Sequence, residues 1–400
     1  MGFVVALAMI VATGCAVTDA TESTQVTPSA DTAPAYCREM EPTLADLVDG
    51  MLVPGAVVLV RSPDLGDCFL SFGTRSLDEQ QPIGLDDQFR IASNTKTMTG
   101  TVILQLVQEG KLRLDDPVSM YRDDVPNGEN ITIEQLLSMR SGLADFSFLP
   151  EFAQSMDETP DRVWTPDEIL ALSFGQPPAF PPGEGFLYSN ANTVLLGLII
   201  EDLTDGSLED AFEARIFGSL GLDRTLLAPP TMSTIPEQHA RGYLFGSVAE
   251  FVAGGDVLSP EQVAEARAGT LVPNDVTDIN PSSGWAAAAG ISTTDELARY
   301  VKALVGGDLL SEEMQQLRLD SVRPIDPDNP DSPAYGLAIV KYGQLYGHTG
   351  EVPGYNSFMG YDPERDITVI AWANMISGPD GRLTGAVLSQ AVIDELYPAP

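Results

Sequence analysis

Histidine, lysine and cysteine are scarce in this 400-residue chain: His239 and His348, then Lys96, Lys111, Lys302 and Lys341, then Cys15, Cys37 and Cys68. With no cluster of His and Cys at ligand spacing, neither a zinc centre nor another metal or cofactor is expected. Positive charge is in short supply as well. Against 58 acidic residues there are only 21 basic ones, a formal net charge of -37, which repels phosphate backbones and anionic headgroups and argues against nucleic acid as a partner. So acidic a surface suits saline surroundings, where screening acts within about 8 Å, and it serves plain solubility equally well. The apolar N-terminal run, Gly2 to Val11, is too short to cross a bilayer as a mature helix.

What is present is enough apolar material for a large core. Hydrophobic residues make up 44% of the chain, which suits one big domain or two interleaved subdomains. The N-terminal run ends in Ala12-Thr13-Gly14-Cys15, the pattern of an export signal over residues 1–15. Small residues leading into a cysteine resemble the lipobox of bacterial lipoproteins, which implies lipidation of Cys15. The expected address is the outer side of the cytoplasmic membrane, held only through that lipid anchor, with plain secretion as the alternative. Residues 16–36, rich in Thr, Ser, Ala, Asp and Pro, bury too little to fold. They form a tether that reaches roughly 65 Å when twenty residues are fully stretched. Export would permit a disulfide, and Cys37 with Cys68 is the expected pair, two buried thiols being the other reading.

Apolar spacing and turn residues outline the folded part, residues 37–400. A short helix over 38–50 is followed by a hairpin, Ala56 to Val60 and Cys68 to Phe72, with Pro63 and Gly66 in its turn. Thr132-Ile133-Glu134-Gln135 has the capping-box pattern that opens a helix. Residues 144–190, rich in Pro, Phe and Asp, read as an ordered loop region. Helices follow at Thr193 to Leu203, Ser207 to Ile216, Pro260 to Ala268 and Thr294 to Val305, and strands at Tyr335 to Val340, Leu345 to His348, Asn356 to Tyr361 and Ile367 to Ala373. A closing helix covers Leu383 to Leu396. The expected fold class is therefore α/β (α+β layered): an antiparallel sheet flanked by helices and built from both chain ends, about 37–92 and 284–400, with a mostly helical part inserted at about 93–283.

Chemistry enters at Ser93-Asn94-Thr95-Lys96. Residues three apart on a helix share a face, so Lys96 lies over Ser93, and a serine hydroxyl becomes a competent nucleophile when a neighbouring base takes its proton. By itself Ser-x-x-Lys is as easily a helix cap. Of the four lysines, however, only Lys96 has a serine three residues before it. Tyr188-Ser189-Asn190 stands 95 residues after Ser93, and His348-Thr349-Gly350 stands 160 residues after Tyr188; each tripeptide pattern occurs once.

In their order and spacing these three motifs resemble the serine penicillin-recognising hydrolases, which comprise class C β-lactamases, D-alanyl-D-alanine carboxypeptidases and related esterases. The likeness covers roughly residues 40–398 and includes Leu136 to Leu143 and Gly347 to Tyr355. It implies a β-lactamase/transpeptidase-like fold and a serine hydrolase that works through an acyl-enzyme on Ser93. Lys96 and Tyr188 would share the proton transfers, either serving as base. Asn190 would hydrogen-bond Lys96 or a substrate amide. The oxyanion would lie on backbone N–H groups of Ser93 and Glu351, and His348, Thr349 and Gly350 would form the far wall, facing a substrate carboxylate. The His-Thr-Gly form resembles the secreted carboxypeptidases, so the expected substrate is a D-alanyl-D-alanine stem peptide of peptidoglycan, with β-lactams as acylating ligands. In those carboxypeptidases an arginine follows the Tyr-Gly-Leu strand; here Val340 follows, and Lys341, one residue on, faces the opposite side of a strand. An esterase or amidase for a small uncharged acyl substrate, or a class C-like β-lactamase, is therefore the alternative. A non-catalytic cell-envelope binding lipoprotein is a further one, although it would have no need of the nucleophile.

Overall fold

A computed structural model describes residues 33–255, 257–329 and 332–398. Its centre is an eight-stranded antiparallel sheet in the order Cys68–Gly73, Gly55–Arg61, Ile367–Ala373, Tyr355–Asp362, Leu345–Val352, Val340–Tyr342, Ala334–Tyr335 and Arg323–Pro324. The two ends of the chain meet where Gly55–Arg61 pairs with Ile367–Ala373, Val58 opposite Ala371. These inner strands read Val-Val-Leu-Val and Val-Ile-Ala-Trp because both faces of the sheet are covered, which calls for continuous apolar runs.

One face packs under helices Ala35–Gly50 and Thr384–Leu396, with Leu44, Val48, Leu388 and Val392 against Val58, Val60 and Val369. The helix Ala35–Gly50 takes in the last residues of the expected tether, and the disulfide Cys37–Cys68, Cα atoms 5.6 Å apart, fastens it to the edge strand. Residues 1–32, which hold Cys15 and most of that tether, lie outside the described residues. The other face carries Val57, Leu59, Ile370 and Trp372 into the main core, which includes Leu297, Tyr300 and Val301 of helix Thr294–Gly306. Among the described residues no helix is long and apolar enough to cross a membrane.

Three departures from the sequence reading bear on the site. Residues 144–190 are not loop alone: helices Pro150–Glu158 and Pro166–Phe174 lie within them. Both start with proline in the first turn, where its missing N–H costs nothing, and Thr165 with Glu168 forms a capping box. Helix Glu312–Asp320, outside the expected set, places Arg318 in the core. The expected strand Tyr335 to Val340 breaks after Tyr335 and resumes at Val340. Between them Ala338 takes a left-handed conformation, φ 52°, and gives its N–H to Leu137 O at 2.9 Å. Its methyl sits where a side chain on Gly100 would be, since a Cβ there would lie 2.3 Å from Ala338 Cβ. Arg318 fixes the kink by donating to Ala338 O, 3.1 Å, to Thr97 O, 3.2 Å, and to Thr101 Oγ1, 2.8 Å.

Candidate active site

Phe89 stacks on Trp372 of the sheet, ring centroids 4.0 Å apart, and strand Gln88–Arg90 pairs with Gly290–Thr293. The chain is thereby held just before Ala92, a non-glycine residue at φ 52°. Ser93 follows in a single 3-10 turn, Ala92–Asn94, and the α-helix proper runs Thr95–Gln108. Thr95 Oγ1 donates to Ala92 O at 2.6 Å and accepts from Gly290 N at 3.0 Å, while Asn94 Nδ2 donates to Ile91 O at 2.6 Å. Left-handed backbone at a non-glycine residue persists only where surrounding contacts over-determine it. These bonds supply that constraint.

Lys96 stands one turn on, wholly buried, with Nζ 3.0 Å from Ser93 Oγ, 2.6 Å from Asn190 Oδ1 and 3.0 Å from Ala287 O. Burial drives its pKa down to about 7, with Asp145 pulling weakly the other way. Asn190 opens helix Asn190–Thr204, and its N–H and Nδ2 donate to Asp145 Oδ1 at 2.8 and 3.1 Å. Asp145 in turn accepts from Ser147 Oγ. Tyr188 stands beside Lys96, whose Nζ is 4.8 Å from the ring centre, and shares a hydrogen bond with Ser93. Burial, followed by the neighbouring Tyr335, raises its phenol well above the ordinary range despite that bond. Ser93, Lys96, Tyr188 and Asn190 thus converge, as the three motifs imply.

The third motif lies on strand Leu345–Val352, which runs against the Ser93 turn. Gly350 makes the approach feasible, since a Cβ there would be 2.3 Å from Ile91 O and 2.4 Å from Ser357 Oγ. Thr349 and Glu351 line the cleft with Ser93, and the Thr349 hydroxyl bonds Tyr342. His348 does not line the cleft. Its ring is 1% exposed, with Nδ1 2.6 Å from Thr349 O and Nε2 3.2 Å from Tyr335 Oη, and burial pushes its pKa down to about 3. Since only an N–H suits a carbonyl, Nδ1 carries the proton and Nε2 accepts from the tyrosine. Val340 packs with Met139, Tyr335 and Tyr188, whereas Lys341 lies over the Tyr346 ring at 4.9 Å.

The cleft is a cavity of about 360 Å³ that continues from Ser93 past Phe146 and Phe152 to Leu244, Val248 and Ile376. Asp145, the Ala287 carbonyl and Tyr335 support the site without having stood out in the sequence. Asp145 follows Ser141-Gly142-Leu143 by two residues, but only the fold brings it under Asn190.

Residues 43–391 match the profile of the family described as Beta-lactamase. The chain is 27% identical over 294 residues to penicillin-binding protein 4* of Bacillus subtilis (strain 168), covering 72% of this chain and 61% of that protein. It is 27% identical over 356 residues to protein flp of Staphylococcus aureus (strain MW2), covering 86% of this chain and 64% of that protein. The aligned part is thus less than two thirds of either relative's length. Among solved structures, a D-stereospecific amidohydrolase from Streptomyces sp. superposes with a TM-score of 0.75 at 28% identity, over 90% of this chain and 98% of that one. The D-amino acid amidase from Ochrobactrum anthropi SV3 gives 0.74 at 28%, over 90% and 97%.

The close approach at Gly350 can be tested directly. Gly350→Ala should lose about 1–3 kcal/mol of stability in urea denaturation and hydrolyse p-nitrophenyl acetate about a hundredfold more slowly, the scale of an ångström of misplacement. Wild-type stability together with wild-type turnover would contradict the fit described.

Proposed function

This chain belongs to the Beta-lactamase family of serine hydrolases, and we propose that it cleaves amides or esters of small uncharged acyl substrates through an acyl-enzyme on Ser93. The observation that carries the reading is the burial of Lys96 between Ser93 Oγ, Asn190 Oδ1 and Ala287 O. A neutral amine has two N–H bonds and one lone pair. The two fixed acceptors take the N–H bonds, which leaves the lone pair for the Ser93 proton. Burial disfavours both the ammonium of Lys96, down to about 7, and the phenolate of Tyr188, well above its ordinary range, so near neutral pH the amine is available while the tyrosine stays a phenol, which makes Lys96 the base.

Ser93 Oγ then attacks the carbonyl carbon as its proton moves to Lys96. Backbone N–H groups of Ser93 and Glu351 take the oxyanion, and Tyr188, hydrogen-bonded to Ser93, relays the proton to the leaving group. Water enters next, and the same groups work in reverse to release the acid and restore Ser93. The leaving-group wall favours an amide or ester over a D-alanyl-D-alanine peptide. His348 is neutral and engaged, Val340 is apolar, and Lys341 lies over the Tyr346 ring and does not line the cavity, which disfavours recognition of a terminal carboxylate. The solved relatives named as an amidohydrolase and a D-amino acid amidase support the same choice, while the penicillin-binding relative supports acylation by β-lactams. We also infer export and lipid anchoring through Cys15, on the strength of the Ala12-Thr13-Gly14-Cys15 pattern.

Incubation with a labelled penicillin should give one covalent adduct, on Ser93, lost in Ser93→Ala; an unmodified wild-type protein by mass spectrometry would sink the acyl-enzyme. With that settled, turnover of N-acetyl-D-phenylalanine amide and p-nitrophenyl acetate should exceed D-Ala release from a D-Ala-D-Ala peptide, and the reverse order would restore the carboxypeptidase. For the anchor, radiolabelled palmitate should be incorporated into wild-type protein expressed in a bacterial host. Equal label in Cys15→Ala would refute the lipid site.

A further inference from the structure

The cavity at Ser93 is far larger than the reaction requires. A volume of about 360 Å³ has room for roughly ten methylene-sized groups at about 30 Å³ each, the liquid volume of one water. The methyl of an alanyl group would leave most of it unfilled. Away from Ser93 the walls are apolar: Phe146 and Phe152, edge to face with centroids 5.1 Å apart, then Met156, Leu244, Val248 and Ile376. The charged side chains that line it are Glu351 beside Thr349, Asp145, tied to Asn190 and Ser147, and Arg90, which donates to Thr277 O at 3.0 Å and Ile279 O at 3.3 Å, and the polar side chains Asn280 and Ser283 interrupt the apolar wall.

The position of this apolar extension fixes which half of a substrate it receives. The leaving group departs past Tyr188, the proton relay, whose other side is closed by Tyr335, Val340 and His348. None of those three lines the cavity. The apolar extension instead runs from Ser93 past Asn190 and Asp145 to Phe146 and Phe152, although Tyr188, Thr349 and Glu351 also line the cavity near Ser93, and this is the side the acyl half would occupy with the leaving group at Tyr188. Its walls are also firmly built. Helix Val248–Val252 begins with a Ser247–Glu250 capping box, and both carboxylate oxygens of Asp157, on helix Pro150–Glu158, accept from Val248 N and Ala249 N at 2.9 Å each. A carboxylate at a helix N-terminus satisfies donors that otherwise need water, so these two helices close over the chamber as a unit. At its mouth stands Phe148, 63% exposed.

We propose that the acyl group carried on Ser93 has an extended apolar chain, of about six to ten carbons by the volume above, and that this chamber selects it. This rests on the acyl-enzyme reading and names its substrate class. Ser93 Oγ bonds the acyl carbon as the ester or amide bond breaks and the serine proton goes to the leaving oxygen or nitrogen. Hydrolysis then releases the carboxylic acid, with one water consumed.

The full-length enzyme is assayed on p-nitrophenyl esters from acetate to dodecanoate. The kcat/KM should rise roughly 3- to 4-fold per added methylene, the effect of burying one CH2, up to a maximum between hexanoate and decanoate. Val252→Trp and, from a different wall, Val276→Phe should each lower the octanoate-to-acetate ratio at least tenfold; the ratio within one protein is independent of how much of it is folded. A profile flat or falling from acetate onward, with hydrolysis of acetate intact, overturns the chamber's role and leaves the acyl-enzyme standing. No turnover of any ester, together with no penicillin adduct on Ser93, overturns both.

Discussion

Removing Lys96 from water is the constraint on which the site depends. An ammonium at that depth loses its hydration, and three protein acceptors replace it only in part, so the group is held near the point where it can lose its proton. A lysine in water would stay charged and could take no proton from serine. The neighbours divide two tasks. Asn190 Oδ1 and Ala287 O orient the nitrogen, while Asp145 holds Asn190 and stops short of an ion pair that would return the lysine to its ordinary value.

The rest of the fold keeps that arrangement dry and in register. The sheet reaches Ser93 through the Phe89–Trp372 stack on one side and through Gly350 against Ile91 on the other. Backbone that an ordinary residue avoids recurs around the site, with Ala92 at φ 52°, Met139 at 59° and Ala338 at 52°. Each such residue costs of the order of 1–3 kcal/mol and survives because its surroundings leave no alternative. At Ala338 the surroundings are Leu137 O, Gly100 and the buried Arg318 guanidinium.

Legibility from sequence followed the range of the interaction. Ser93 and Lys96 are one helical turn apart, the Thr132–Gln135 capping box is local, and the hairpin and sheet strands carry unbroken β-branched runs; all were readable. The Cys37–Cys68 pair, expected if the chain is exported and with two buried thiols as the other reading, is formed. Features set by distant contacts were not readable. The chain breaks at Ala338 because Gly100, on a helix far earlier in the chain, leaves room for its methyl, and Tyr335 meets His348 Nε2 at 3.2 Å only after the sheet has formed. The helices Pro150–Glu158 and Pro166–Phe174 do carry local signals, proline in the first turn of each and the Thr165–Glu168 capping box in the second, but the density of Pro, Phe and Asp around them reads equally as loop. Those helices matter to function, since the first of them walls the chamber beside Ser93.

If buried Lys96 takes the Ser93 proton in its amine form, the rate of Ser93 acylation by a penicillin must follow the titration of that lysine. That rate should climb about tenfold per pH unit below about pH 7 and level off above it, and in Lys96→Arg the limb should disappear with a drop of about a hundred- to ten-thousandfold. A rate constant across pH 5 to 9, on the order expected of no titrating base in that range, or a Lys96→Arg enzyme that acylates as fast as wild type, would contradict it.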